Sequence, residues 1–354
     1  MQEEHADRKA GKLTHTTTQP PWLMEVLSLR SVPSEGETVV VCGRHMIMRG
    51  GILRSKSVVS AAQGQTEKAF GFKWQKRDTF ESEISLARMR HWLIERYGKV
   101  DEAAWFGEHG EHPLILDAGC GAAMSGLELF GGLLRKARYL GADISAAVDV
   151  AAARCAERGL PAGFLQADLS QLPISSSSVD IILSEGVLHH TDSTERAFYA
   201  LAELLKPGGR FLFYVYRKKG PVREFTDDYI RDQLQNMTPE EAWKAVMPLT
   251  KLGKLLGDLN VEIEIPEPVD LLEIPAGRIN LQRFFYWHVF KAFYRPDMTR
   301  DEMNHINFDW YAPRNAHRHT IEEVRGWCTK AGFTIERERV EEAGITIIAK
   351  KNDG

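Results

Sequence analysis

The apolar positions change rhythm along this chain, and the changes mark its elements. From about 113 to 216, short apolar runs alternate with stretches of helical spacing. Leu114-Ile-Leu116 is the first run and ends in Asp117; Met124 to Lys136 then carries apolar residues at helical spacing. Tyr139-Leu-Gly-Ala-Asp143 is a second strand that ends in an acid. The alanine-rich run to Arg158 reads as a helix, with Ser145 as its N-cap and Gly159 as its stop. Gly163-Phe-Leu-Gln166 is a third strand with Asp168 just beyond it, and Val179 to Ser184 is a fourth. A helix over about 194–206 leads to a fifth strand, Arg210 to Tyr216. Such alternation predicts a parallel sheet with helices on both faces. Ligands in these sheets bind beyond the carboxyl ends of the strands, where Asp117, Asp143, Asp168 and Ser184-Glu185-Gly186 all fall.

The flanks follow other rhythms. Thr320-Ile-Glu-Glu323 is a capping box that opens a helix ending near Ala331-Gly332, and Phe333–Val340 and Gly344–Lys350 then read as two strands. Residues 320–354 therefore close the core begun at 113–216, and 217–319 is an insertion. Inside it, Thr238-Pro-Glu-Glu241 starts a helix, and Pro266, Pro268 and Pro275 break the chain. Arg283 to Arg295 holds seven aromatics in thirteen residues, on several faces of a helix that should be largely buried. That helix walls a pocket, packs a lid or makes a homodimer contact; it is too short for a good membrane-surface helix, and its basic residues sit mainly at the ends. At the other end, 1–21 reads as a polar flexible tail and 22–64 as a small β-hairpin extension. Residues 65–112 read as a helical lid containing Phe70-Gly-Phe-Lys-Trp74 and a helix from Ser82 to about Tyr97. The extension weakly resembles the last hairpin of a zinc ribbon, but only Cys42 stands where several thiolates are needed, so no metal is expected.

Composition narrows the classes. At 354 residues the chain is long enough for a large core, and a net charge of −4 gives no global reason to bind nucleic acid. The four cysteines form no Cys-x-x-Cys pair, and no apolar run reaches the length of a membrane span. A reducing cytoplasm is the expected compartment.

The chemistry begins at Gly119 and Gly121, a pair that lets the backbone turn sharply and approach a ligand. Asp143, 26 positions beyond Asp117, can accept hydrogen bonds from ribose hydroxyls and would repel a 2′-phosphate. Met124 replaces the third glycine of a dinucleotide fingerprint, and no Gly-Lys-Ser/Thr loop is present. The site thus suits an adenosine without a pyrophosphate, with Asp168 placed for an adenine amino group. Leu116-Asp-Ala-Gly-Cys-Gly121, Gly141-Ala-Asp-Ile-Ser145, Gln166-Ala-Asp-Leu169, Ser184-Glu-Gly-Val-Leu-His-His190 and Leu204-Leu-Lys-Pro-Gly-Gly209 resemble, in order, the motifs of class I S-adenosylmethionine-dependent methyltransferases. The resemblance implies an α/β fold: a Rossmann-like seven-stranded, mostly parallel sheet with helices on both faces, a helical insertion after strand five and a small N-terminal β extension. It implies S-adenosyl-L-methionine as cofactor. Gly119 and Gly121 would approach the methionine part, Asp143 would hold the ribose, and Asp168 with Leu169 would frame the adenine. Asp117, Ala118, Cys120, Ile144, Ser184, Glu185 and Gly186 complete the cofactor set.

The acceptor side is less constrained. His189 and His190 follow strand four, where this family contacts substrate; Asp309, Tyr311, His317 and His319 lie in Asn307–Thr320, a segment expected to run close to the cofactor mouth. His189, His190, Tyr311, His317 and His319 are therefore the candidate catalytic residues. Each histidine has an alternative use in fixing a loop, and His317 and His319 would face opposite ways. Phe72, Trp74, Tyr216 and Trp310 are the candidate substrate-binding aromatics. The expected reaction is methyl transfer to O or N of a small-molecule acceptor; a tRNA or protein acceptor is the alternative. Arg217-Lys-Lys219 with Arg223 is the basic cluster beside the mouth that a nucleic acid would use.

Overall fold

A computed structural model describes residues 18–55 and 59–353. The expected flexible tail at 1–21 therefore lies, over 1–17, outside the described residues. A short helix α1 (Pro21–Val26) precedes strands β1 (Thr38–Val41), β2 (Arg44–Arg49) and β3 (Ile52–Ser55). Helices α2 (Ala61–Gln75), α3 (Glu83–Tyr97) and α4 (Ala104–Gly107) lead to β4 (Leu114–Ala118). The alternating core follows: α5 (Met124–Phe130), β5 (Arg138–Asp143), α6 (Ala147–Glu157), β6 (Gly163–Gln166), β7 (Val179–Glu185), α7 (Thr194–Leu204) and β8 (Leu205–Tyr216).

The alternating core begins in the middle of the sheet, at β4. Strand order is β1-β2-β3-β6-β5-β4-β7-β8 followed by two C-terminal strands, β12 (Gly344–Lys351) and then β11 (Phe333–Val340). Strands β3, β6, β5, β4, β7 and β8 are parallel neighbours. Both faces of β4 are buried, which is why its sequence is a continuous apolar run rather than an alternation. Connections leave β4 in opposite directions, so a crevice opens beyond its carboxyl end.

Among the described residues the sheet has ten strands, not seven, because the N-terminal segment is built into it. Strand β3 pairs in parallel with β6, at Leu53 with Leu165 and Arg54 with Gln166, and so covers an otherwise open edge. Leu23, Leu27, Met46, Met48 and Leu53 share one core with Leu116, Leu140 and Leu165. Ile52-Leu-Arg-Ser55 has too little apolar pattern to read as a strand on its own. Cys42 is exposed at the β1–β2 turn, and among the described residues no three His, Cys, Asp or Glu side chains come together.

The insertion supplies α8 (Pro221–Leu234), α9 (Pro239–Leu259), a hairpin of β9 (Glu262–Ile265) and β10 (Gly277–Asn280), α10 (Leu281–His288) and α11 (Arg300–Tyr311); α12 (Ile321–Lys330) then returns to the core. The capping boxes at Thr238 and Thr320 both form. A third, Thr299 with Glu302, starts α11, so Asn307–Tyr311 is helical, whereas 313–320, which holds His317 and His319, is not. The signal Thr-x-x-Glu was present at Thr299. The aromatic segment is helical only to His288, and of its seven aromatics Tyr286 alone is buried. Among the described residues no helix is long and apolar enough to cross a membrane.

Candidate functional site

A cavity of about 500 Å³ lies beyond the carboxyl ends of β4, β5 and β7, with α2, α3 and α11 around it. Its inner wall is made by chain turns. Gly119 has φ +83 and Gly121 φ +51, values that L side chains rarely adopt. A Cβ on Gly119 would stand 2.1 Å from Val187 Cγ1, and one on Gly121 would stand 2.7 Å from Trp74 Nε1. Asp143 anchors this turn. Its Oδ2 accepts from the Gly121 amide at 2.9 Å, and its Oδ1 accepts from the Ser145 amide and hydroxyl at 2.8 and 2.7 Å. Besides donating to Asp143, the Ser145 hydroxyl accepts from the amide of Ala147, the first residue of α6, at 3.2 Å. Burial pushes the Asp143 carboxyl up, and the three donors partly offset that. Asp168 accepts from the Ser170 amide and hydroxyl through Oδ1.

Of the expected cofactor residues, Gly119, Asp143, Ile144, Asp168, Leu169, Glu185 and Gly186 line the cavity. Asp117, Ala118, Cys120, Gly121 and Ser184 do not. Asp117 is buried behind the turn, where it accepts from the Tyr139 hydroxyl at 2.5 Å, and burial pushes its carboxyl up to about 7. Ser184 donates to the Ala118 carbonyl at 3.0 Å and so ties β7 to β4. The Cys120 thiol is buried, which pushes its pKa well up. Glu185 is held by Arg96 and the Tyr97 hydroxyl, a clamp from α3 with no sequence signal.

The outer wall separates the candidate catalytic residues. Only His190 lines the cavity. Its Nδ1 sits 2.6 Å from the Asn315 carbonyl, so that nitrogen carries the proton; Nε2 is buried and without a partner among the described residues. Burial pulls its pKa down to about 4. His189 stacks on Tyr216 at 3.6 Å, with neither ring nitrogen partnered among the described residues. His317 donates its amide to the His189 carbonyl, and its Nε2 lies 3.0 Å from the Thr191 carbonyl. His319 donates its amide to the Tyr216 carbonyl, and its Nε2 meets the Thr194 hydroxyl at 2.9 Å. These two histidines hold the chain against the end of β8 and do not face the cavity. Tyr311 is likewise withdrawn: fully buried, it donates to Asp227 at 2.8 Å and accepts the Lys291 amide at 2.7 Å. Among the candidate aromatics Trp74 and Tyr216 line the cavity. Phe72 packs on Phe308 and Trp243, and Trp310 donates to Asp227.

The structure adds a charged centre. Lys73, from α2, pairs with Asp309, from α11, and the Tyr216 hydroxyl donates to Asp309 at 3.3 Å. Burial works against the Asp309 charge, but Lys73, His190 and Lys291 together outweigh it and the carboxyl stays well below its ordinary range. The Lys73 ammonium also lies 3.9 Å over the Trp74 ring. Because 236 positions separate Lys73 from Asp309, local pattern could not pair them.

The neutral burial of His190 has a measurable consequence. The unfolded histidine gains its proton near pH 6.5, while the folded one resists until about 4. The unfolded state then binds more protons, so this contribution to stability is intact above pH 7 and is lost as pH falls from 6.5 towards 4. Asp117 acts in the opposite sense, so the comparison must be between variants. Relative to wild type, His190→Gln is expected to gain about 3 kcal/mol between pH 7.5 and 4. Urea unfolding of both proteins across that range measures it, and a constant gap would contradict neutral burial.

Residues 116–213 match the protein-family model described as Methyltransferase domain. A protein of Encephalitozoon cuniculi whose name places it among methyltransferases is 30% identical over 149 residues, 39% of this chain and 59% of its own length. The tRNA (carboxymethyluridine(34)-5-O)-methyltransferase of Mus musculus is similar at 34% identity over 122 residues, 33% of this chain and 17% of that one. The malonyl-(acyl-carrier protein) O-methyltransferase of Enterobacter lignolyticus is 33% identical over 102 residues, 28% of this chain and 37% of its own. The chain thus spans 59% or less of the length of these relatives. Among solved structures, the 1,6-didemethyltoxoflavin-N1-methyltransferase of Burkholderia thailandensis aligns over 90% of this chain and 100% of its own, at 14% identity and a TM-score of 0.43.

Proposed function

We propose a reaction for a chain that belongs, through residues 116–213, to the class I S-adenosylmethionine-dependent methyltransferases: methyl transfer to O or N of a small-molecule acceptor held in the cavity. The residues present fit the donor. Asp143 Oδ2 takes one protein hydrogen bond and keeps capacity for ribose hydroxyls. Asp168 keeps Oδ2 for an adenine amino group, and the positive-φ turn at Gly119 has no room for a Cβ. When bound, this donor supplies a methyl group on a positively charged sulfur that departs as a neutral thioether.

This chain's own part is to bind, orient and exclude water. Phe70 and Trp74 from α2 present aromatic faces to the cavity, and the Lys73–Asp309 pair fixes α2 to α11 over it. His190 Nε2 is a fixed hydrogen-bond acceptor for an acceptor hydroxyl or amine, since burial keeps the ring neutral.

One observation favours a small molecule over RNA: the basic cluster beside the mouth is largely consumed by the fold. Arg223 is 1% exposed and bonds Asp227 at 2.7 Å, and Lys219 donates to the Arg217 and Ala343 carbonyls. Only Arg217 and Lys218 stay exposed, too few for a phosphate track. Four free cysteines, three of them buried, agree with a reducing cytoplasm. The test is to incubate the protein with S-adenosylmethionine labelled in its methyl group and fractionated cell extract. Label is expected in the small-molecule fraction; label confined to RNA or protein would overturn this acceptor class.

A further inference from the structure

The segment between α10 and α11 is irregular, yet buried polar side chains clamp its backbone at three successive residues. The Lys291 amide donates to the Tyr311 hydroxyl at 2.7 Å. The Ala292 carbonyl accepts from Gln282 at 2.8 Å, and the Phe293 amide donates to Asn307 at 2.9 Å. Helix α9 makes room for it with two glycines one turn apart: a Cβ on Gly253 would stand 2.7 Å from the Ala292 carbonyl oxygen, and one on Gly257 2.1 Å from Tyr294. So many fixed contacts hold one short strap in a single shape.

What the strap carries into the cavity is Lys291. The residue is 8% exposed and lines the cavity wall, with Nζ 4.5 Å over the Trp310 ring. Among the described residues its ammonium has no hydrogen-bond acceptor and no acidic partner. The acids around it are committed elsewhere. Asp309 holds Lys73 and the Tyr216 hydroxyl, and Asp227 holds Arg223, Trp310 and Tyr311. Arg223 and Arg231 are further cations close by. Burial without a partner lowers the Lys291 pKa to about 7, despite the favourable pull of Asp309. Arg283, on the same wall, also has no acidic partner among the described residues. A buried lysine with no partner costs stability, and a fold that clamps it in place has a use for it.

We propose that Lys291 is an acceptor-binding residue of this cavity, and that the acceptor carries an acidic oxygen, as a carboxylate or an ionised phenol, set against the Lys291 ammonium. This rests on the cavity being the donor-and-acceptor site. The aromatic side chains of Phe70, Trp74 and Tyr216, which line the same cavity, suit a planar body attached to that oxygen.

The test uses the full chain saturated with S-adenosylhomocysteine and titrated calorimetrically with benzoate and with benzamide, probes of one shape and different charge. Wild type is expected to bind benzoate at least about tenfold more tightly than benzamide. Lys291→Met should erase that preference and Lys291→Arg should keep most of it. Because Met removes an unpartnered charge, Lys291→Met should also raise the melting temperature. Discrimination that survives in Lys291→Met, or is missing in wild type, would overturn the proposal. So would a fall in the melting temperature of Lys291→Met, which would reveal a structural partner. Affinity for S-adenosylhomocysteine should stay within about threefold in Lys291→Met. Its loss there would assign the amine to the donor's own carboxylate and overturn the proposal, whereas absence of binding by wild type would overturn the donor reading itself.

Discussion

Replacing Asp143 with alanine is expected to weaken S-adenosylhomocysteine binding by about ten- to a hundredfold, or about 1.5–3 kcal/mol of charge-assisted hydrogen bonding. The structure gives two routes to that loss. One is direct, through the ribose hydroxyls that Asp143 Oδ2 can still accept. The other is the turn: without the carboxylate, the Gly121 and Ser145 amides lose their acceptor, and the backbone that approaches the donor loosens. Ser145→Ala separates them, because it removes the hydroxyl's bonds to Asp143 at 2.7 Å and from the Ala147 amide at 3.2 Å and leaves the carboxylate in place. Its effect should be several-fold smaller. Calorimetry on folded variants measures both, and an unchanged affinity in Asp143→Ala would remove the ribose assignment.

Gly119→Ala is expected to be the most damaging single methyl group at the site. The position has φ +83, which costs an L residue about 1–2 kcal/mol, and the new Cβ would stand 2.1 Å from Val187 Cγ1. Overpacking of this kind adds about 1–3 kcal/mol, because Val187 must shift or the turn must open. Combining Gly119→Ala with Val187→Ala removes the clash and leaves the backbone strain. The pair should therefore recover much of the steric part and none of the conformational part. Urea unfolding of the two single variants and the double variant reads the cycle. Additive costs would show that Val187 is not what excludes a side chain here.

The sites that sequence reading placed well and badly differ in the range of the interactions that define them. Gly119, Asp143, Asp168 and Glu185 were legible because each stands at the end of its own apolar run, and strand ends in a parallel sheet converge on one crevice. The histidines were not. A loop histidine looks the same in sequence whether its ring nitrogens meet a carbonyl or a substrate. His317 and His319 found the Thr191 carbonyl and the Thr194 hydroxyl, more than 100 positions away. Tyr311 reads as a pocket residue near the cofactor mouth; in the structure it ends α11, and its hydroxyl donates to Asp227.

By itself the sequence determined the alternating core, its glycine turn, the acids at the strand ends, two capping boxes and the closing antiparallel pair. These depend on period, caps and turn chemistry within about a dozen residues. Tertiary structure alone decided that β3 would cover the open edge of β6, that Lys73 would meet Asp309, and that Lys291 would be buried in the cavity wall without an ion pair among the described residues. The reason is physical: a buried charge is defined by every group that packs around it. The strap packs on helix α9 at Ala292 and Tyr294 only because Gly253 and Gly257 leave it space, and no local pattern records that space.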